Sequence, residues 1–173
     1  HFFLTQYFKD NFDRALSSLP NIKSVINVTR IEVWVTNRNG TTQNVRDVVG
    51  FNDLGEAVPY SNQIIQTGNG DSRPRNEVNN LYGRLIGHPN DRFVNNVVAS
   101  LQGGEFNLVQ GQDFEKTYAR KLNDNEFTFN RQLGYISLNS QLNPNEVLAV
   151  AFQYEYNGAV FQVGEFGNQV PPD

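Results

Sequence analysis

Cysteine and methionine are absent from this chain of 173 residues, and it holds only two histidines and one tryptophan. Without cysteine there is no disulfide framework, no thiolate metal ligand and no cysteine nucleophile. Two histidines, one of them at position 1, are too few for a His-rich metal site. Charge is also scarce. Asp, Glu, Lys and Arg make up 18% of the chain, below the roughly 25% of ordinary domains. The balance of 14 basic against 18 acidic residues leaves a net charge of −4. That sign argues against electrostatic binding to nucleic acid or anionic lipid. No apolar run approaches the roughly 18 residues of a membrane-spanning helix, and no basic-then-apolar segment opens the chain as a signal peptide does. The missing initiator methionine leads us to expect a fragment of a longer protein.

Uncharged amides fill the place of the missing charges, with 24 Asn and 12 Gln. Aromatics are plentiful, with 13 Phe and 7 Tyr. The length fits a single domain, residues 1–173, with a core large enough to need no staple. Such a composition suits an extracytoplasmic bacterial surface protein.

Periodicity supplies the elements. Leu4, Phe8, Phe12, Ala15, Leu16 and Leu19 recur at helical spacing and predict a helix over 3–18, ended by Pro20. Residues 25–37 alternate as a strand, with Ile31, Val33 and Val35 on one face and Arg30, Glu32 and Trp34 on the other. Asn37-Arg38-Asn39-Gly40 then predicts a hairpin returning through 45–52. Residues 53–73, rich in Gly, Asn, Ser and Pro, read as a long irregular loop and the best candidate for mobility. Two short helices follow. Val78, Leu81, Tyr82 and Leu85 mark the first, with Ser72 and Pro74 at its start and Gly87 at its end. Phe93, Val94, Val97, Val98 and Leu101 mark the second, capped by Asn90 or Asp91 and stopped at Gly103. The short link Gly87-His88-Pro89 predicts a helical hairpin.

The remainder reads as β-structure. Phe127 and Phe129 share a face of one strand, Ile136 and Leu138 a face of the next. Residues 147–156 form the strongest strand, with Leu148, Val150, Phe152, Tyr154 and Tyr156 on one face and Val147, Ala149 and Ala151 on the other. Apolar residues on both faces predict a central strand. Asn157-Gly158 predicts a type I′ turn into 159–166, setting Tyr154 opposite Phe161 and Phe152 opposite Val163. The whole predicts an α+β domain: a sandwich-like antiparallel sheet with an N-terminal helix and a helical hairpin packed against it.

Chemistry is thinly represented. His88, the sole internal histidine, precedes a proline in a predicted turn, and no Gly-x-Ser-x-Gly elbow exists. Gly103-Gly104-Glu105-Phe106 is similar to the diguanylate cyclase signature. It lacks that signature's extra acidic residue and follows a helix rather than a strand, so it reads as a helix stop. Glu32, Glu126, Glu155 and Glu165 are the carboxylates that could pair for glycoside hydrolysis, but carboxylates alternating out of strands ordinarily face water. Trp34 could stack on a sugar, though such a Trp more often covers a sheet edge or meets a second layer. Asn27 and Asn39 stand in weak glycosylation triplets. No catalytic, cofactor-binding or metal-binding residue is expected, no small-molecule cofactor is implied, and no binding residue can be picked.

One long stretch carries a resemblance. Ala119-Arg120-Lys121-Leu122, Asn125 to Asn130, Leu133 to Asn139, Leu142-Asn143-Pro144, Val147 to Tyr154, Asn157-Gly158 and Gln162 to Phe166 resemble the SprA/Sov family. So do residues Phe2 to Gly55, through the block Asn27 to Asn37 and Asp53-Leu54-Gly55. The resemblance implies a giant outer-membrane protein of gliding bacteria, the β-barrel translocon of the type 9 secretion system. This chain would be an extramembranous domain that does not itself span the membrane, at the cell surface, with the extracellular side favoured over the periplasmic. Its partners would be other domains of the parent barrel, accessory secretion-system proteins and exported cargo, with no nucleic acid. The family offers no catalytic residues to carry over, so a non-enzymatic structural or interaction role follows. A cell-surface carbohydrate-binding or adhesin module is the alternative.

Overall fold

The alternating run that ends at Asn157-Gly158 becomes the strand from which the fold is most easily built. The structure, a computed structural model, describes residues 1–17, 21, 24–68, 70–89 and 96–170. Its elements are β1 (Phe2–Phe3), α1 (Gln6–Ala15), β2 (Ile26–Thr36), β3 (Val45–Phe51), α2 (Leu81–Ile86) and α3 (Val97–Gln102). They continue with β4 (Phe114–Lys121), β5 (Phe127–Asn130), β6 (Tyr135–Leu138), β7 (Leu148–Tyr156) and β8 (Ala159–Val163). Two antiparallel sheets result, of order β1-β6-β5 and β3-β4-β2-β7-β8, so the molecule is α+β.

β7 pairs with β2 on one side and β8 on the other. It is therefore an interior strand, one place from the middle position that β2 holds. Asn157 and Gly158 both take positive φ, 50° and 78°, as a type I′ turn requires. Tyr154 lies opposite Phe161 and Phe152 opposite Val163, the register predicted from the turn.

One predicted pairing is wrong. β2 and β3 do not form a hairpin through Asn37–Gly40. β4 lies between them, and Arg120 is paired with Val35 on one side and Val45 on the other. Since β4 is antiparallel to both, β2 and β3 run the same way, and residues 37–44 carry the chain across β4. Gly40 does take a positive φ of 65°, but the eight-residue connection is too long for its Asn-Gly pair to dictate a two-residue turn.

β2 also hides a phase change. Ile26 and Val28 face the same side as Ile31, Val33 and Val35, although strict alternation would oppose them. A bulge between Val28 and Arg30 inserts Thr29 without a partner and resets the phase. The apolar face so formed meets the smaller sheet, where Val33, Val35, Leu122, Phe127 and Ile136 cluster. Beside them Phe8 of α1 packs with Ile26, Val28, Phe152, Tyr154 and Val163. A separate cluster of Ile64, Leu81, Leu101, Phe106, Leu108 and Phe114 joins α2 and α3 to the β4 end of the large sheet.

The helices are shorter than the periodicity predicted. α1 starts at Gln6 because Phe2 and Phe3 pair with Ile136 and Tyr135 of β6 instead. The expected stop at Leu19-Pro20 lies outside the described residues. α2 begins after Asn80, not at Ser72 or Pro74, and follows a single 3₁₀ turn, Asn76–Val78. Pro74 is fully buried, and its carbonyl accepts the Tyr154 hydroxyl. Gly87 ends α2, and Gly103 in extended conformation ends α3. Asn90, Asp91, Phe93 and Val94, predicted for the start of the second helix, lie outside the described residues.

Candidate functional site

The face of the large sheet opposite the main core is polar in sequence yet partly closed over. Glu32 and Trp34, expected on a solvated face, are only 5% and 9% exposed. The cover comes from the chain after β8. Gly164 turns with a φ of 80°, and residues 164–170 fold back as a strap across β7 and β2. Phe166 is fully buried, with the Arg30 guanidinium 3.9 Å over its ring. The Gly167 N–H donates to Glu32 Oε2 at 2.9 Å, and Trp34 Nε1 donates to the same oxygen at 3.4 Å. Lys121 and Arg30 flank the other carboxylate oxygen at 3.3 and 3.6 Å. Glu32 is thus a fastener for the strap. A buried indole beneath the strap presents no face for a sugar to stack on.

Buried polar side chains elsewhere do similar work. Asp53, 2% exposed, accepts the N–H groups of Tyr60 and Ser61 at 2.7 and 2.9 Å. Asn79 donates to the carbonyls of Asp53 and Glu56 and accepts the Leu81 N–H. Together they pin the loop over 53–73 to the start of α2. Asp113 closes its own turn by accepting the Val109 N–H at 2.8 Å. Glu56 receives the first amide of α1, from Gln6, on both oxygens at 3.2 and 3.3 Å. It does what the Thr5 side chain, in the N-cap position, does not. Burial pushes the Glu56 carboxyl above its ordinary value, and the Gln6 amide only partly opposes that.

Arg73 forms a fork onto both oxygens of Asp71 at 2.7 to 3.2 Å. Its guanidinium lies 4.1 Å from the Tyr156 ring centre and 5.5 Å from that of Phe161. That hydrogen bonding holds the Asp71 carboxyl far below the usual range and raises Arg73. Burial drives the Tyr154 phenol well above its ordinary value. Nothing in the alternation of the strands pointed to Asp71 and Arg73, because an Asp-x-Arg triplet in a loop has no periodicity.

The remaining predicted carboxylates are dispersed. Glu126 pairs with Arg120 at 2.9 Å and accepts the Asn123 N–H. Glu155 is exposed on β7. Glu165 accepts the Tyr82 hydroxyl at 3.0 Å in an open cleft of about 420 Å³. His88 is exposed, as its turn position predicted, and its Nε2 stands 2.6 Å from Glu105 Oε2. The His88 contact, with Arg84 beside it, lowers the Glu105 carboxyl. Glu105 follows the helix stop as part of a surface cluster, with Gly104 at a φ of 54°. Among the described residues, no group of three or more His, Asp or Glu side chains is arranged to hold a metal ion. None of their helices is long and apolar enough to cross a membrane. Asn27 and Asn39 are both exposed.

Neither the models of known protein families nor the curated proteins include a match to this chain.

Proposed function

We propose that this chain is a non-enzymatic structural and interaction domain of a SprA-like type 9 secretion translocon, serving protein export across the outer membrane and gliding motility. It stands at the cell surface, on the extracellular side of the barrel, against other domains of the parent protein, accessory secretion proteins and exported cargo. The sequence resemblance supplies the identity of the system. The observation that carries the structural role is the use made of buried polar side chains. Glu32, Asp53, Asp113, Asn76 and Asn79 are each less than a tenth exposed, and each is bonded to main-chain groups of a loop. Polar groups placed this way fix the shape of irregular segments. A catalytic site would instead gather titratable groups around a space where a reacting atom can sit.

The test is an in-frame deletion of residues 1–173 from the protein that carries them, in its own host. Immunoblotting of outer-membrane fractions checks that the remainder is still assembled. Export of secreted cargo and colony spreading should both fall. Wild-type export and spreading from a correctly assembled deletion protein would overturn the reading.

A further inference from the structure

The outer edge of β8 carries backbone groups that no neighbouring strand of the described residues takes up. Counting from the two-residue turn, Tyr156–Ala159, Tyr154–Phe161 and Phe152–Val163 are the hydrogen-bonded pairs. The N–H and C=O groups of Val160 and Gln162 therefore point away from β7. Among the described residues, no backbone hydrogen bond reaches them. One step further along the same edge, Gly164 has its partner. The Asn76 side chain accepts the Gly164 N–H at 2.7 Å and donates to its carbonyl at 3.3 Å, as a residue of a neighbouring strand would.

The usual protections are missing from this edge. β8 reads Ala-Val-Phe-Gln-Val, without a charge, a proline or a bulge, and Val160 is 55% exposed. The opposite edge strand, β3, carries Arg46 and Asp47. Alongside β8 runs the cleft of about 420 Å³, bordered by Asn76, Glu77, Tyr82, Gln162, Glu165 and Gln169. Among the described residues that line it, the charged ones are Glu77, exposed at the rim, and Glu165, which accepts the Tyr82 hydroxyl. Glu155, exposed on the adjoining strand opposite Val160, adds to the same sign.

We propose that β8 is a docking edge for an extended peptide segment bearing Lys or Arg at alternate positions. The segment pairs its backbone with Val160 and Gln162 and continues the sheet that Asn76 terminates. Side chains on one face of such a strand recur every second residue, so the cationic ones fall together along the acidic cleft. Backbone pairing supplies affinity, and alternate side chains supply selectivity. This inference goes beyond the export reading, because the peptide test is made on the whole chain in solution and the export test in cells.

The probe is a fluorescein-labelled octapeptide of alternating Thr and Lys, with a Thr–Glu octapeptide as its counterpart. Anisotropy at low salt should show the Thr–Lys peptide binding at least about tenfold more tightly, and less so as salt screens the charges. Amide exchange of Val160 and Gln162, measured by NMR on the unaltered chain, should slow when the Thr–Lys peptide is added. Val160→Pro removes an outward N–H that β7 does not use, so binding should drop with the β7–β8 ladder intact. Glu77→Gln should weaken binding by several-fold. Equal binding of both peptides, binding without protection at Val160 and Gln162, or no binding at millimolar peptide would each overturn the proposal. So would a dimer of the chain alone that protects these same amides, which would make a second copy the occupant.

Discussion

Glu32→Ala removes the carboxylate that receives the Gly167 N–H of the 164–170 strap, and the only tryptophan of the chain sits beside it. The cost can be assembled from the contacts. The Gly167 N–H donates to a charged acceptor at a good distance of 2.9 Å, and such a bond contributes about 1.5–3 kcal/mol. The Trp34 contact, at 3.4 Å, is long and adds little. Arg30 and Lys121 are each 40% exposed. Once Glu32 is gone they rehydrate, so their pairs add no more than about 1 kcal/mol together. Recovering the hydration of a buried carboxylate offsets part of the sum. A net loss of about 2–3 kcal/mol follows.

Urea unfolding followed by far-UV circular dichroism measures that loss. With a slope of about 1–3 kcal/mol per molar urea, the midpoint should fall by roughly 0.7–3 M. Trp34 emission reports the strap itself, and native-state emission should shift to the red as the indole meets water. Glu32→Gln keeps an acceptor for Gly167 while losing the charge, and should fall between wild type and Glu32→Ala. A Glu32→Ala protein within about 0.5 kcal/mol of wild type, with unchanged emission, would refute the fastener assignment.

Phe152, 1% exposed and 6.1 Å from the rings of both Phe8 and Tyr154, should cost about 3–5 kcal/mol on truncation to Ala; a urea-melt difference under about 1 kcal/mol would contradict its core role. Gly134 takes a φ of 68°, and a Cβ there would lie 2.1 Å from the Phe8 ring. Gly134→Ala should therefore lower stability by about 2–4 kcal/mol, whereas Gly83→Ala, in α2 with open space around it, should raise it by about 0.5–1 kcal/mol; paired thermal melts decide both signs. Asn76→Asp keeps the acceptor for Gly164 N–H but turns a buried carboxylate on the Gly164 carbonyl, so melting should show a loss of about 2–3 kcal/mol at neutral pH that shrinks as the carboxyl protonates. Asp71 and Glu56 are shifted in opposite directions, so their effects on stability have opposite signs. Asp71, held low by Arg73, supports the fold above its ordinary value of 3.8, and that support is lost as pH falls below it. Glu56, raised from 4.5 by burial, penalises the fold as pH climbs past 4.5. Asp71→Asn should therefore destabilise at neutral pH and not in strong acid, while Glu56→Gln should remove a loss seen on raising pH, both read from stability against pH.

The parts of the fold that were legible in the sequence are those set by neighbours along the chain. The β7–β8 hairpin is the clearest, since alternation and Asn157-Gly158 agree on one register. The place of β4 between β2 and β3 was not legible. Its pairing joins residues 63 (Phe51 to Phe114) to 87 (Trp34 to Lys121) apart, and no local pattern states which strand fills a gap in a sheet. The bulge at Thr29 was not legible either, because no local pattern marks the one unpaired residue that inverts the phase of everything after it. Of the site, His88 was placed correctly on the surface, while Glu32, Glu126, Glu155 and Glu165 read as alternating out of strands, which only Glu32 of β2 and Glu155 of β7 do. Glu32 defeated the rule that alternate polar residues face water, because its cover comes from residues 164–170, far along the chain. The β8 cleft was invisible for the same reason, as Asn76 to Tyr82 and Val160 to Gln169 meet only in three dimensions.

The abundance of amides has a structural reading in these contacts. A carboxylate can only accept, and an ammonium or guanidinium can only donate. An asparagine does both, so one side chain can satisfy a backbone N–H and a backbone C=O together. Asn76 does this at the sheet edge and Asn79 at the start of α2. The same property helps hold the irregular chain after β3, where Asn79 donates to the carbonyls of Asp53 and Glu56 and the Asn80 side chain accepts the Ile65 N–H. The Asp53 carboxylate and a short backbone bridge to residues 78–80 act beside them. It also marks where that support stops. At Gly164 the edge is closed by Asn76, and at Gln162 and Val160 nothing among the described residues takes its place. The sheet therefore ends in a backbone whose next partner is left to another chain, beside a cleft whose charges select for cations.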